Sequence, residues 1–183
     1  MIIGLTGTMG SGKGEVVKFL KSKGFEHYVY SDILKEIAEQ RNIEPTRANL
    51  QKLGSDIKSE SNNLGILSKE ILKRIKTDKA IADGIRNVDE IKELRKRKDV
   101  FIIGVTAPQK IRYSRITKRK RPGDPKTFSE FKRLDNLENR GKSKGQEINN
   151  CLKTVDFTII NTSSLEQLKN KMNDILGSIS SQK

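Results

Sequence analysis

Residues 1–22 read MIIGLTGTMGSGKGEVVKFLKS, and the order of their parts decides the fold. The apolar run Ile2-Ile3-Gly4-Leu5-Thr6 has the length and composition of a buried strand. It passes directly into Gly7-Thr8-Met9-Gly10-Ser11-Gly12-Lys13-Gly14, after which Val16, Val17, Phe19 and Leu20 recur at helical spacing. A strand, a glycine-rich turn and a helix in that order make a phosphate cradle. The glycines let the backbone curl with its N–H groups inward, the helix N-terminus adds positive potential, and Lys13 reaches the outer phosphates. Position 14, where such loops carry the Ser or Thr that touches Mg²⁺, is Gly, and Glu15 follows. Metal is therefore expected on phosphate oxygens, waters and more distant carboxylates. Glu15 has a second reading, as an acidic first-turn residue favoured by the helix dipole.

Outward from this segment the same alternation continues. His27-Tyr28-Val29-Tyr30, Ala80-Ile81-Ala82, Val100-Phe101-Ile102-Ile103-Gly104-Val105 and Phe157-Thr158-Ile159-Ile160 read as four more strands. Between them lie helix-period stretches, among them Ile33, Leu34, Ile37 and Ala38; Val88, Ile91 and Leu94; and Leu165, Leu168, Met172, Ile175 and Leu176. Parallel strands need long crossovers, so an α/β fold with a mostly parallel sheet covered on both faces is expected. Residues 36–77 hold helical turns without a strand. Residues 115–145 are basic, contain Pro122-Gly123-Asp124-Pro125 and have a thin apolar pattern. Both read as insertions above the sheet, the second as a lid that an anion would draw shut.

At 183 residues the chain suits one domain, 1–183. Its hydrophobic residues, 33% of the whole, stand in periodic blocks, which argues against disorder. No apolar run approaches the roughly 20 residues of a membrane span, and the N-terminus lacks the basic flank of a secretory signal. Cys151 is the single cysteine, which excludes an intrachain disulfide and fits a reducing, cytoplasmic setting. The net charge is +14, and between residues 110 and 145 thirteen Lys and Arg stand against four Asp and Glu. A partner carrying several phosphates is implied, either a polyphosphate nucleotide or a nucleic acid.

Several residues fall where phosphate chemistry needs them. Ser31-Asp32 follows the second strand, at the end of the sheet that faces a ligand crevice, where Asp32 would otherwise cap a helix. Asp83 closes the third strand beside the phosphate loop, placed to orient metal-bound water, and Gly84 lets the chain turn so that Arg86 enters the crevice. Asp32 and Asp83 would thus act on metal through water, with no direct protein ligand assigned. Arg47 and Asn49 are candidates for contact with an acceptor's base or sugar, with Thr46 as a helix cap. Arg112, Arg115 and Arg119 recur at helical spacing, and Arg121 lies just beyond. Arg115 and Arg119 share a helix face, where a closing pair can neutralise charge that develops during phosphoryl transfer. Arg133, Arg140 and Asn161 are weaker candidates. His27 reads as structural or exposed, and no chemistry is assigned to Cys151.

These motifs resemble those of nucleoside monophosphate kinases. The Gly12-Lys13-Gly14 ending is similar to the phosphate loop of adenylate kinases, which continue with Thr where this chain has Glu15. Ser31-Asp32-Ile33-Leu34-Lys35 resembles their Gly-Asp-x-Leu-Arg element and the acidic element of dephospho-CoA kinases. Asp83-Gly84-Ile85-Arg86 resembles their Asp-Gly-x-x-Arg element, one residue shorter, and Arg115-x-x-x-Arg119 resembles kinase lids. The resemblance implies a P-loop three-layer α/β/α fold with a five-stranded sheet in the order 2-3-1-4-5, a helical acceptor-binding insertion and a basic lid. It implies ATP as donor and Mg²⁺ as cofactor, Asp32 between donor and acceptor, and Lys35 and Arg86 on the acceptor phosphate. The acceptor it implies is a nucleoside or deoxynucleoside monophosphate, with dephospho-CoA as the alternative. A nucleotide-dependent RNA or ribosome-assembly factor is a reading of another class. With 5% aromatics and no Trp, stacking platforms for single strands are poorly supplied.

Overall fold

The computed structural model describes residues 1–121, 123–139 and 146–181. Its elements run β1 (Ile2–Gly7), α1 (Lys13–Ser22), β2 (Glu26–Val29), α2 (Tyr30–Gln40), α3 (Arg47–Glu60), α4 (Ile66–Arg74), β3 (Ala80–Ile85), α5 (Val88–Leu94), β4 (Val100–Thr106), α6 (Gln109–Arg119), α7 (Phe128–Asn139), α8 (Ile148–Lys153), β5 (Phe157–Ile160) and α9 (Leu165–Ser180). The sheet is five-stranded and parallel throughout, in the order β2-β3-β1-β4-β5. The three-layer architecture implied by the sequence is the one present.

Neighbouring strand residues point to opposite faces, and the core divides accordingly. Ile2, Ala80, Ala82 and Ile102 pack with α2, α4, α5 and α8 through Tyr30, Ile33, Leu67, Ile71, Ile91 and Cys151. Ile3, Leu5, Ile81, Ile103 and Ile159 pack with α1 and α9 through Val16, Leu20, Leu168 and Met172. Central strands are apolar on both faces because helices cover both. The stretch 36–77 comprises the end of α2 with α3 and α4, around its own small core of Ala38, Leu53 and Ile57. Thr46 caps α3, accepting the Asn49 N–H at 3.2 Å. Cys151 is wholly buried, and that burial, with Glu90 and Glu147 nearby, pushes its thiol up to about 12.

Three sequence readings are corrected. The second strand ends at Val29, and Tyr30, buried, opens α2. The third strand continues through Asp83 and Gly84 to Ile85, so Asp83 sits inside the sheet, paired with Val29 on one side and Leu5 on the other. The basic segment is better anchored than its thin apolar pattern suggests. Phe131 is fully buried, Tyr113 and Phe128 meet edge to face at 5.3 Å, and Arg112 and Asp135 form a buried ion pair. Three aromatics and one ion pair replace the missing aliphatic stripe. Arg140 and the end of that segment, with Pro122, lie outside the described residues.

Candidate active site

The crevice opens at the carboxyl ends of β1, β3 and β4, where loops of an open α/β sheet gather. Gly10 and Gly12 have φ of 76° and 97°, which L side chains adopt at a cost. A β-carbon on Gly12 would lie 2.3 Å from Asn161 Nδ2, and one on Gly10 would lie 2.7 Å from the Arg112 carbonyl oxygen. The loop's carbonyls are drawn outward by three side chains. Arg112 donates to the Met9 oxygen at 3.0 Å, Arg115 to the Ser11 oxygen at 3.2 Å, and Asn161 Nδ2 to the same Ser11 oxygen at 2.9 Å. The N-terminus of α1 has no side-chain cap, so its first amides are available to an anion.

Around this cradle lies a cavity of about 720 Å³, lined by residues 7–15 together with Asp83, Arg86, Arg115, Arg119, Arg121 and Glu138. Thr8 Oγ1, Ser11 Oγ and Asp83 Oδ1 are buried there without a hydrogen-bond partner among the described residues. Buried polar atoms of this kind are ordinarily satisfied, and a phosphate with its metal shell would satisfy them. A triphosphate therefore fits the donor set. For Mg²⁺, the carboxylate beside Lys13 is Asp83, with Lys13 Nζ 3.8 Å from its Oδ1. Among the described residues no cluster of three or more His, Cys, Asp or Glu forms a protein cage. A β-carbon at Gly14 would meet nothing within 4 Å, so the missing hydroxyl reflects the residue and not a lack of room.

Asp83 has a partner that sequence reasoning missed. His27, on the neighbouring strand β2, donates through Nε2 to Asp83 Oδ2 at 3.2 Å. Burial by itself would raise the Asp83 carboxyl, but the His27 hydrogen bond and the charges of Lys13, His27 and Arg86 outweigh it and hold the group below the usual carboxylate range. A depressed carboxyl keeps its ionised form above its ordinary value and surrenders it only as pH falls through the lower folded value. His27→Leu is expected to move the acidic limb of the kcat/KM profile to higher pH, read from rates at graded pH.

The arginines of α6 and just beyond it differ in their contacts. Arg115 lies on the cradle, its second donor on the Asn161 carbonyl at 3.0 Å. Arg119 lines the cavity but is gripped by Asp124 at 2.7 and 2.8 Å, and Arg121 lines it beyond. Arg133 is exposed and lies away from the cavity lining. Glu15 lines the cavity in the first turn of α1, paired with Lys18 at 2.8 Å.

A second cavity, about 380 Å³, is lined by residues including Tyr30, Leu34, Lys35, Leu50, Lys58, Leu67 and Gln146. It shares Arg47, Gly84 and Arg86 with the first. Glu138 of α7 stands at this junction. Its Oε1 meets the Arg47 guanidinium and lies 4.0 Å from Arg86 Nη1, so two arginines from different elements converge on one carboxylate. Arg47 also touches Met9 Sδ at 3.8 Å, against the phosphate loop.

Asp32 is a correction. Tyr30 and Ile33 take the buried side of α2, which turns Asp32 outward. Its carboxylate is 54% exposed, accepts from Lys35 Nζ at 2.7 Å, lines neither cavity and caps no helix.

A glycine-rich loop, an uncapped helix N-terminus with a lysine at the start of α1 and a parallel sheet in this order define a P-loop NTPase domain with a kinase-like fold. The chain matches a protein-family model described as an AAA domain over residues 6–132. It is 32% identical to a UPF0200 protein of Hyperthermus butylicus, covering 100% of this chain and 96% of that one. To a UPF0200 protein of Sulfurisphaera tokodaii it is 35% identical, over 96% and 95% of the two chains. The protein belongs to the UPF0200 family. Among solved structures it is similar to the shikimate kinase from Acinetobacter baumannii in complex with shikimate, at TM-score 0.62 and 17% identity over 100% and 94% of the chains. It is also similar to TT1252 from Thermus thermophilus, at TM-score 0.60 and 20% identity over 97% of each. These likenesses show the fold. Among the described residues no helix is long and apolar enough to cross a membrane.

Proposed function

We propose that the protein is a phosphotransferase that moves the terminal phosphoryl group of ATP to a nucleoside or deoxynucleoside monophosphate. The observation that carries the reading is the meeting of two cavities at Arg47, Gly84 and Arg86, one around a phosphate cradle and one walled by apolar side chains and cations. Phosphoryl transfer needs donor and acceptor in line across such a junction. Arg47 and Arg86, which converge on the Glu138 carboxylate at the junction, would supply the positive charge an acceptor phosphate needs if they exchange that partner for it.

ATP would supply the phosphoryl group, and Mg²⁺, when bound with it, would supply charge neutralisation. The loop amides and Lys13 hold the ATP phosphates. Asp83, kept ionised by His27, Lys13 and Arg86, would hold the metal through its water, without the help of the outward-turned Asp32. Arg47, Arg86 and Lys35 hold the acceptor, while Arg115, Arg119 and Arg121 line the side over which charge develops. The acceptor oxygen bonds to the terminal phosphorus as the bond to the bridging oxygen breaks, and ADP departs.

The test is ATP consumption with each common nucleoside monophosphate and its deoxy form, with dephospho-CoA, shikimate and RNA as further arms and Lys13→Ala as control. Turnover is expected with a nucleoside monophosphate. Turnover confined to dephospho-CoA or shikimate would move the acceptor to that compound. ATP hydrolysis stimulated by RNA without any phosphorylated small molecule would replace the reading with the assembly-factor one. Against that last outcome stands the buried pairing of Arg112 with Asp135, which removes that cation from the basic face.

A further inference from the structure

The second cavity is lined by buried polar groups that holding a phosphate does not require. Lys58 Nζ lies 2.9 Å from Glu90 Oε1, with the two side chains 8% and 2% exposed. The other oxygen of Glu90 accepts the Arg86 N–H at 2.7 Å and the Asn87 N–H at 3.4 Å, closing the capping box of α5. Glu90 is therefore saturated by the fold, and Lys58 is fixed against it. Gln146 lines the same cavity, is 7% exposed, and its Oε1 has no hydrogen-bond partner among the described residues. Its neighbour Glu147 donates its N–H to the Arg86 carbonyl at 2.7 Å and accepts the Val88 N–H at 3.2 Å. That pair of bonds ties the residue after Gln146 to the junction of β3 and α5, which Glu90 also holds. The walls are Leu34, Leu50 and Leu67.

A buried amide left without a partner is costly unless a ligand completes it. The ammonium of Lys58 only donates, while an amide both donates and accepts. Apolar walls with one donor and one donor–acceptor group in the lining fit a flat ring whose edge carries a hydrogen-bond acceptor beside an N–H.

Resting on the phosphotransferase reading, we propose that Lys58 and Gln146 recognise the base of the acceptor: an edge acceptor atom sits on the Lys58 ammonium and the adjacent N–H donates to Gln146 Oε1. In guanine and uracil the acceptor atom is the exocyclic oxygen. In adenine it is a ring nitrogen beside the exocyclic amine. The two arrangements share this chemistry, and separate arms distinguish them.

The experiment measures binding by calorimetry of GMP, UMP, AMP and CMP, and of ribose 5-phosphate as the base-free probe, to the wild type and to Gln146→Leu. In the wild type at least one nucleotide is expected to bind ten-fold or more tighter than ribose 5-phosphate. In Gln146→Leu that nucleotide weakens about ten-fold while ribose 5-phosphate and ATP are unchanged, about the worth of one hydrogen bond. Among the described residues the variant loses no hydrogen bond, so its melting temperature should equal or exceed the wild type's, which a merely structural amide would not show. Unchanged nucleotide binding in Gln146→Leu, or equal weakening of ribose 5-phosphate, overturns the base-recognition proposal and leaves the kinase reading standing. Wild type that binds no monophosphate at all overturns both.

Discussion

Lys13→Ala is expected to lower turnover by about 10² to 10³-fold, the usual cost of removing one preorganised group from a site where charge develops. Lys13 is the first residue of α1, and its ammonium lies within the cavity beside Asp83, 3.8 Å from Oδ1. Nothing else among the lining residues combines a position on the helix N-terminus with a side chain of that reach. The fold should survive, because the Lys13 to Asp83 contact is long and partly solvated and contributes at most about 1 kcal/mol. Turnover is read by ADP release under saturating acceptor, and the fold by a melting curve within about 4 °C of wild type. Equal loss of activity and of structure would show that Lys13 is a folding residue and not a phosphate-binding one.

Asp135→Ala carries the largest expected effect on stability. Asp135 is 1% exposed and holds Arg112 with two hydrogen bonds, at 2.5 and 2.8 Å, while Gln109 donates to it at 2.8 Å. Removing the carboxylate leaves a guanidinium that is 4% exposed without its countercharge. A broken buried pair of this kind costs about 3 to 5 kcal/mol, which lowers the melting temperature on the order of 10 °C in a chain of this size. The loss also reaches the site, because the same Arg112 draws the Met9 carbonyl out of the cradle. Nucleotide affinity should therefore fall alongside stability. Asp124→Ala provides the contrast, since its partner Arg119 is exposed and the change should stay within about 1 kcal/mol. A melting curve for Asp135→Ala that overlays the wild type would contradict the assignment of this pair as the anchor of the basic segment.

The sheet and its cradle are readable from the sequence because their signals are local. Strand, glycine turn and helix follow one another in residues 2–22, and each apolar run that reads as a strand is one, give or take its ends. The ends slip where a residue serves two elements. Tyr30 is as good a strand residue as a helix opener, and its burial under α4, with its hydroxyl 2.5 Å from Ser68 Oγ, decides the matter only in three dimensions. Asp32 was misplaced for the same reason: moving the helix start by one position rotates it to solvent.

The site residues that escape sequence reading are those whose partners are distant along the chain. His27 meets Asp83 across 56 positions, Arg47 meets Glu138 across 91, and Arg112 meets Met9 across 103. One signal was present. The basic stretch contains four acids, and three of them, Asp124, Asp135 and Glu138, each hold an arginine. An acid kept within a run of like charges is a hint of an internal pair, although spacing does not say with which residue.

The main chain from Gly7 to Lys13 is expected to enclose the phosphates of a nucleoside triphosphate. Calorimetric titration of the whole chain with ATP and with GTP, each with Mg²⁺, tests it most directly. Saturable heat at one site per chain is expected, and it should be strongly reduced in the folded Lys13→Ala variant. A wild-type protein that melts cooperatively yet takes up neither triphosphate would contradict it.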